Sequence, residues 1–140
     1  LPIDGIAAVA FAENAEHQAC DVNNVPADYM FLDIGPQTVA MLKEKLATCK
    51  TIVWNGPMGA FEIKPFNQGT NDLARFVAEG SKEGRFVSVA GGGDTVAALE
   101  QAGVADDFTY ISTAGGAFLE WLEGKTLPGV AALSDLQDAA

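Results

Sequence analysis

Positive charge is scarce in this sequence: 8 Lys and Arg stand against 19 Asp and Glu, a net charge of −11. That balance argues against nucleic acid and anionic membrane surfaces as partners, because clustered cations carry both kinds of binding. It also leaves few cations for any polyanionic ligand. A phosphate site here must be built from backbone N–H groups, helix N-termini and a metal ion, against the field of the whole chain. Histidine occurs once, at His17, in a polar stretch with no partner motif, and reads as a surface side chain. The two cysteines, Cys20 and Cys49, lie far apart without metal spacing. They read as reduced thiols of a cytosolic protein. No apolar run approaches the roughly 18–20 residues of a membrane span. The apolar stretch 7–12 is short and follows no basic segment, so no signal peptide is expected. Solenoid repeats and low-complexity tracts are absent too. These absences leave a cytoplasmic protein with neither a membrane nor a nucleic acid as partner.

What is present is a chain of 140 residues, 49% hydrophobic, enough for one compact core. It begins with Leu1 rather than Met, which suggests a processed chain or a piece of a longer one. Strand-like and helix-like segments alternate. Residues 3–11 are apolar and extended, 13–26 are polar and read as loop, and 29–34 form a short strand. Gly35-Pro36 opens a helix whose Val39, Leu42 and Leu46 share one face. A β-branched strand follows at 51–54, then the turn cluster NGPMG, and a helix over 66–80. Strands at 85–90 and 108–111 each run into a Gly-rich turn and a helix, through 102 and over 117–123. Residues 125–133 read as extended and 134–140 as a polar tail. Serial β-turn-α units predict an α/β fold, with a mostly parallel Rossmann-like sheet and helices on both faces. The turns after Trp54, Ala90 and Ile111 then share the carboxyl edge of that sheet, where such folds bind ligands.

The first Gly-rich turn reads Gly91-Gly92-Gly93-Asp94-Thr95. Lacking Cβ atoms, its backbone can approach a bulky anion, and the following helix offers free N–H groups. Thr95 can add a hydroxyl contact to a phosphate oxygen. Asp94 suits a Mg²⁺ ion placed between carboxylate and phosphate, or is simply a helix N-cap. The turn Ser112-Thr113-Ala114-Gly115-Gly116 repeats the logic one unit later. In Asn55-Gly56-Pro57-Met58-Gly59-Ala60-Phe61-Glu62, the apolar members can pack on a flat base. Glu62 can accept hydrogen bonds from ribose hydroxyls; the plainer alternative is a Pro-Gly loop over a core Phe. Together the turns read as a site for nucleotide phosphates. No turn contains a cation, although phosphoryl transfer needs charge neutralisation.

Five blocks resemble phosphoglycerate kinase: LDIGPQT (32–38), VWNGPMGAFE (53–62), AGGGDTVAAL (90–99), ISTAGGAFLEWLEGK (111–125) and LPGVAAL (127–133). The family moves a phosphoryl group between 1,3-bisphosphoglycerate and Mg-ADP, giving 3-phosphoglycerate and Mg-ATP in glycolysis. The resemblance covers about the C-terminal third of a two-domain family chain. It implies that residues 1–133 are part of the nucleotide-binding domain, with ADP or ATP and Mg²⁺ as ligands. By resemblance Glu62 binds the ribose, and Asn55, Gly59 and Ala60 line the base and phosphate side. Gly92, Gly93 and Thr95 contact phosphates, and Asp94 the Mg²⁺. Gly93, Gly115 and Gly116 are the catalytic positions; the latter two stand at the helix start that stabilises the transferring phosphoryl group. Family members often carry three glycines there, and Ala114 takes the first place here. The family's N-terminal domain, which holds 3-phosphoglycerate, and a Lys-containing nucleotide segment are not in this chain. An inactive fragment keeping part of the Mg-nucleotide site is thus expected. The alternatives are a non-enzymatic α/β module that assembles with a partner chain, and a sugar-phosphate or dinucleotide binder, which leaves NGPMGAFE unexplained.

Overall fold

A computed structural model describes residues 1–112 and 114–137, with side chains as far as residue 133. Strands β1 (Asp4–Ala8), β2 (His17–Asp21) and β3 (Met30–Ile34) form an antiparallel sheet in the order β2-β1-β3. Helix α1 (Pro36–Ala47) leads to β4 (Thr51–Asn55), and α2 (Gln68–Lys82) to β5 (Val87–Gly91). Then come α3 (Gly93–Gln101), a 3-10 turn (Ala105–Asp107), β6 (Tyr110–Ser112), α4 (Gly115–Leu122) and α5 (Pro128–Gln137). Strands β4-β5-β6 make a parallel sheet in that order.

The expected α/β architecture with a parallel sheet and flanking helices is present, β1 and β3 stand apart from it in the antiparallel sheet, and two further stretches differ from the sequence reading. β2 lies inside the polar segment expected to be loop. It is an edge strand pairing with β1 from Asp4↔Asp21 to Ala8↔His17, and its side chains are nearly all exposed. An exposed edge strand needs ladder hydrogen bonds, not apolar alternation, so the hydrophobic pattern is silent there. The second difference is α5, a helix where an extended segment and the start of a polar tail were expected. Pro128 fits the first helical turn, where its missing N–H costs nothing. Residues 138–140 of the expected tail lie outside the described residues.

The two faces of the parallel sheet have different fates. In β4, Ile52 and Trp54 are buried; in β5, Ser88 and Ala90 are. Ile52, Trp54 and Ala90 meet Val39 of α1, Leu73, Ala74 and Val77 of α2, and Leu99 of α3 in one core. α2 presents this set at spacings of one, three and four, the apolar stripe of a half-buried helix. The opposite face carries Val53, Val89 and Tyr110, aligned by strand register. There α4 covers only the carboxyl end: a Cβ on Gly91 would stand 3.6 Å from the Phe118 ring. Farther back, Val53, Val87 and Tyr110 remain 45%, 46% and 59% exposed.

The two sheets are joined through helix starts. Neither Gly35, which precedes α1, nor Asn67, which precedes α2, supplies a side-chain cap. Carboxylates of the antiparallel sheet do so instead. Asp4 of β1 accepts from Gln37 N (3.0 Å), Thr38 N (2.7 Å) and the Thr38 hydroxyl (2.6 Å). Asp33 of β3 accepts from Gly69 N at 2.7 Å. Burial works to raise the Asp4 pKa, but the Thr38 hydroxyl and the two amides outweigh it and hold it below the ordinary carboxylate value. A depressed folded-state pKa contributes stability above the unfolded value, and that stability is lost as pH falls through the folded one. Replacing Asp4 with Ala is expected to cost about 1–2 kcal/mol at pH 7 in urea unfolding. The gap should narrow below about pH 4; an equal gap at pH 3 and pH 7 would contradict this assignment.

Candidate functional site

Strand register sets the geometry of the site. Asn55, Gly91 and Ser112 end the three parallel strands in one hydrogen-bonded row. The three turn clusters picked out in the sequence therefore leave the sheet side by side at its carboxyl edge. Thr113, within the third cluster, lies outside the described residues.

Contacts between the turns are close. Gly92 has φ +102°, a region that favours glycine. A Cβ there would also stand 3.2 Å from the Asn55 side-chain oxygen and 3.4 Å from the Thr95 hydroxyl. The turns at Gly92 and Gly115 approach so closely that a Cβ on Gly115 would run into Gly92 N and Cα. Thr95, almost fully buried, accepts a 2.7 Å hydrogen bond from Gly56 N, tying the first turn to α3. Trp54 Nε1 donates to Gly56 O at 2.6 Å and closes the turn from below.

Two helices begin at this edge. Val96 N bonds to Gly92 O and Phe118 N to Ala114 O. The first-turn amides of α3 (Gly93, Asp94, Thr95) and of α4 (Gly115, Gly116, Ala117) thus have no partner within their own helices. Their positive dipole ends share one sheet edge. Nothing lies within 4 Å of a Cβ position at Gly93 or Gly116, so packing does not require glycine at either. Asp94 is exposed in the first turn of α3. Among the described residues no group of three or more His, Cys, Asp or Glu could hold a metal. A lone carboxylate beside free amides fits Mg²⁺ only as an ion shared with phosphate oxygens.

Gly59 and Ala60 lie apart from this row, against the antiparallel sheet. Ala60 N donates to Leu32 O at 2.7 Å, and Met58 N to the Thr70 hydroxyl at 3.0 Å. Both line an open, mainly apolar cavity of about 740 Å³, together with Phe31, Leu32, Asp33 and Met58. Glu62 follows on the surface, and Gln101 at the end of α3 donates to the neighbouring Phe61 O at 3.0 Å. The candidate residues thus fall into a row of strand ends with helix starts and an apolar cavity, with the NGPMG turn contributing to both.

Asp33 is the residue that sequence reasoning passed over. It is 5% exposed and also accepts from its neighbour Ile34 N at 2.9 Å. Burial pushes its pKa up to about 6, the Gly69 and Ile34 amides partly oppose this, and the Asp72 charge adds to the rise. LDIGP places a carboxylate at the end of an apolar strand, but its burial comes from the long-range contact with Gly59, which no local signal carries.

The glycines at the row should respond unequally to one methyl group. Gly115→Ala is expected to destabilise by about 2–4 kcal/mol, since only backbone atoms lie in the way. Gly116→Ala should be neutral or stabilising by up to about 1 kcal/mol. Equal midpoints for the two variants in guanidinium unfolding would contradict the close approach of the turns.

A family model described as phosphoglycerate kinase matches residues 1–125. A phosphoglycerate kinase of Dinoroseobacter shibae is 62% identical over 133 residues, covering 95% of this chain and 34% of that protein. The structure of phosphoglycerate kinase from Coxiella burnetii superposes with a TM-score of 0.87 at 42% identity, covering 100% of this chain and 34% of that one. Phosphoglycerate kinase from Pyrococcus horikoshii gives 0.77 at 32% identity, over 95% and 32%. The chain spans about a third of the length of the curated relatives it matches.

Proposed function

The chain belongs to the phosphoglycerate kinase family, and we propose that it supplies part of a Mg-nucleotide site for transfer of a phosphoryl group between 1,3-bisphosphoglycerate and Mg-ADP. The products are 3-phosphoglycerate and Mg-ATP, in the cytoplasm. The observation that carries the reading is the row Asn55–Gly91–Ser112, which sets two helix N-termini and their free amides side by side. In this reading the amides at Gly92 and Gly93 and the Thr95 hydroxyl proton face the nucleotide phosphates. Asp94 holds the Mg²⁺, whose charge offsets that of the phosphates. Gly115 and Gly116 present the start of α4 to the phosphoryl group in transit. Gly59 and Ala60 form a wall of the base cavity, with Asn55 between base and phosphates, and Glu62 reaches the ribose. No cation stands in any of the three turns, so the remaining neutralising charge comes from sequence beyond this chain, as does the site for 3-phosphoglycerate.

Calorimetry tests this directly. Mg-ADP should bind the 140-residue chain, and Asp94→Ala should weaken binding about tenfold or more. Metal-free ADP should bind Asp94→Ala at least as well as the parent chain, because the carboxylate repels a bare phosphate. An Asp94→Ala chain with unchanged Mg-ADP affinity would remove the metal role. The isolated chain should show no kinase turnover.

A second reading, a non-enzymatic module that assembles with a partner chain, is favoured by the half-bare sheet. Val53, Val87 and Tyr110 stand exposed on one face, and β4 and β6 pair on only one side among the described residues. Such a face and such edges favour association. Sedimentation of the isolated chain should show self-association that Val87→Lys reduces; a clean monomer at 100 μM-scale concentration (an order-of-magnitude choice) would count against assembly.

A further inference from the structure

The side chain of Asp33 sits where three elements meet. From its own strand it receives Ile34 N, and from the first turn of α2 it receives Gly69 N. Its carboxyl group packs so tightly under the NGPMG turn that a Cβ on Gly59 would collide with it. The same turn is pinned on either side of Gly59: Met58 N bonds to Thr70 of α2, and Ala60 N to Leu32 of β3. Any movement of the carboxyl group is therefore felt by Gly59, and the helix and strand that hold Met58 and Ala60 are the ones it bonds.

We propose that Asp33 is a positioning residue of the nucleotide site, which through its bonds to α2 and β3 sets the place of the Gly59–Ala60 wall of the apolar cavity. This rests on the nucleotide reading of that cavity. The residue does not touch phosphates or metal; it acts through the turn.

The chemistry of the junction makes this more than packing. The carboxylate is held by neutral backbone donors, and among the described residues no basic side chain lines the cavity beside it. The charged groups on neighbouring elements are Asp72 of α2, paired with Arg75, and Asp4 of β1, which lines the same cavity. Glu62 follows the turn on the surface. Burial raises the Asp33 pKa to about 6, and the Asp72 charge adds to the rise. Its ionised form accepts from both amides; its protonated form gives up part of that capacity. Above its pKa the turn is held, and below it the link to α2 slackens. Nucleotide affinity should therefore rise as pH increases through about 6.

The test follows backbone amides of the 140-residue chain by NMR from pH 4.5 to 8 (a window set by the ordinary and shifted carboxyl ranges), without nucleotide, in wild type and Asp33→Asn. Gly69 and Ile34 amides should titrate with a midpoint near 6, and the Gly59 and Ala60 amides should follow with the same midpoint. All four should lose that transition in Asp33→Asn. Mg-ADP affinity in wild type should rise by about fivefold across the transition, and in Asp33→Asn it should be flat. Gly59 and Ala60 amides silent to the titration would overturn the proposal, whatever the stability of the variant. If no nucleotide binds either chain, the nucleotide reading fails and the amide titration still decides whether Asp33 sets the turn. A role in stability alone would lower the melting temperature of Asp33→Asn without a shared transition at Gly59 and Ala60.

Discussion

Two helices of this chain start without a local acceptor for their first amides, and two carboxylates from another sheet supply it. Asp4 closes α1 and Asp33 closes α2. An uncapped start would leave buried N–H groups without partners, a cost of about 1–3 kcal/mol each. The antiparallel sheet is therefore not an appendage. It is joined to the parallel layer by charge-assisted hydrogen bonds, and the helices so fixed form one wall of the core under β4 and β5. The two carboxylates are not equivalent. Asp4 is surrounded by enough donors to favour its ionised form, whereas Asp33 pays the desolvation cost with only two amides in return. A raised folded-state pKa means that ionisation of Asp33 weakens the fold as pH rises through about 6. A junction that costs stability when charged is a reasonable place to look for a function of the charge.

The parallel sheet bears on a different problem, how an acidic chain could meet the phosphates proposed for it. The net charge of −11 disfavours any polyanion at long range. Locally the answer is geometric. Parallel strands in register end together, each feeds a helix or turn, and amides with their dipoles accumulate at one edge. Glycine at 92 and 115 is what lets neighbouring turns come within contact of one another. With side chains at those positions the turns would separate, and the amides with them. The same logic explains why Gly93 and Gly116, which packing leaves free, belong to a different class from Gly115.

Legibility in the sequence followed the source of each signal. The strands β4, β5 and β6 were readable because β-branched or apolar runs broke into Gly-rich turns, and those turns located the edge of the sheet. α2 was readable from Leu73, Phe76 and Val77 at helical spacing. β2 was not, because an exposed ladder at the sheet edge leaves no hydrophobic trace in HQACD. α5 was missed for the opposite reason: Pro128 suggested extension, although at a first helical turn it is permissive. The family resemblance supplied roles for Gly59, Ala60 and Glu62 that their residue types alone did not. Nothing local in LDIGP marked Asp33 as buried beneath Gly59, since that contact joins residues separated by a helix and a strand.

The uneven covering of the parallel sheet connects the fold to the charge problem. On one face α1, α2 and α3 bury Ile52, Trp54 and Ala90; on the other, α4 protects only the end near Gly91. At about 25 cal/mol per Å² an exposed Val or Tyr forgoes a substantial part of its potential burial energy. The sheet therefore gains stability from whatever covers Val53, Val87 and Tyr110. The bare face and the row Asn55–Gly91–Ser112 belong to the same three strands, so whatever buries Val53, Val87 and Tyr110 also steadies the strand ends from which α3 and α4 start.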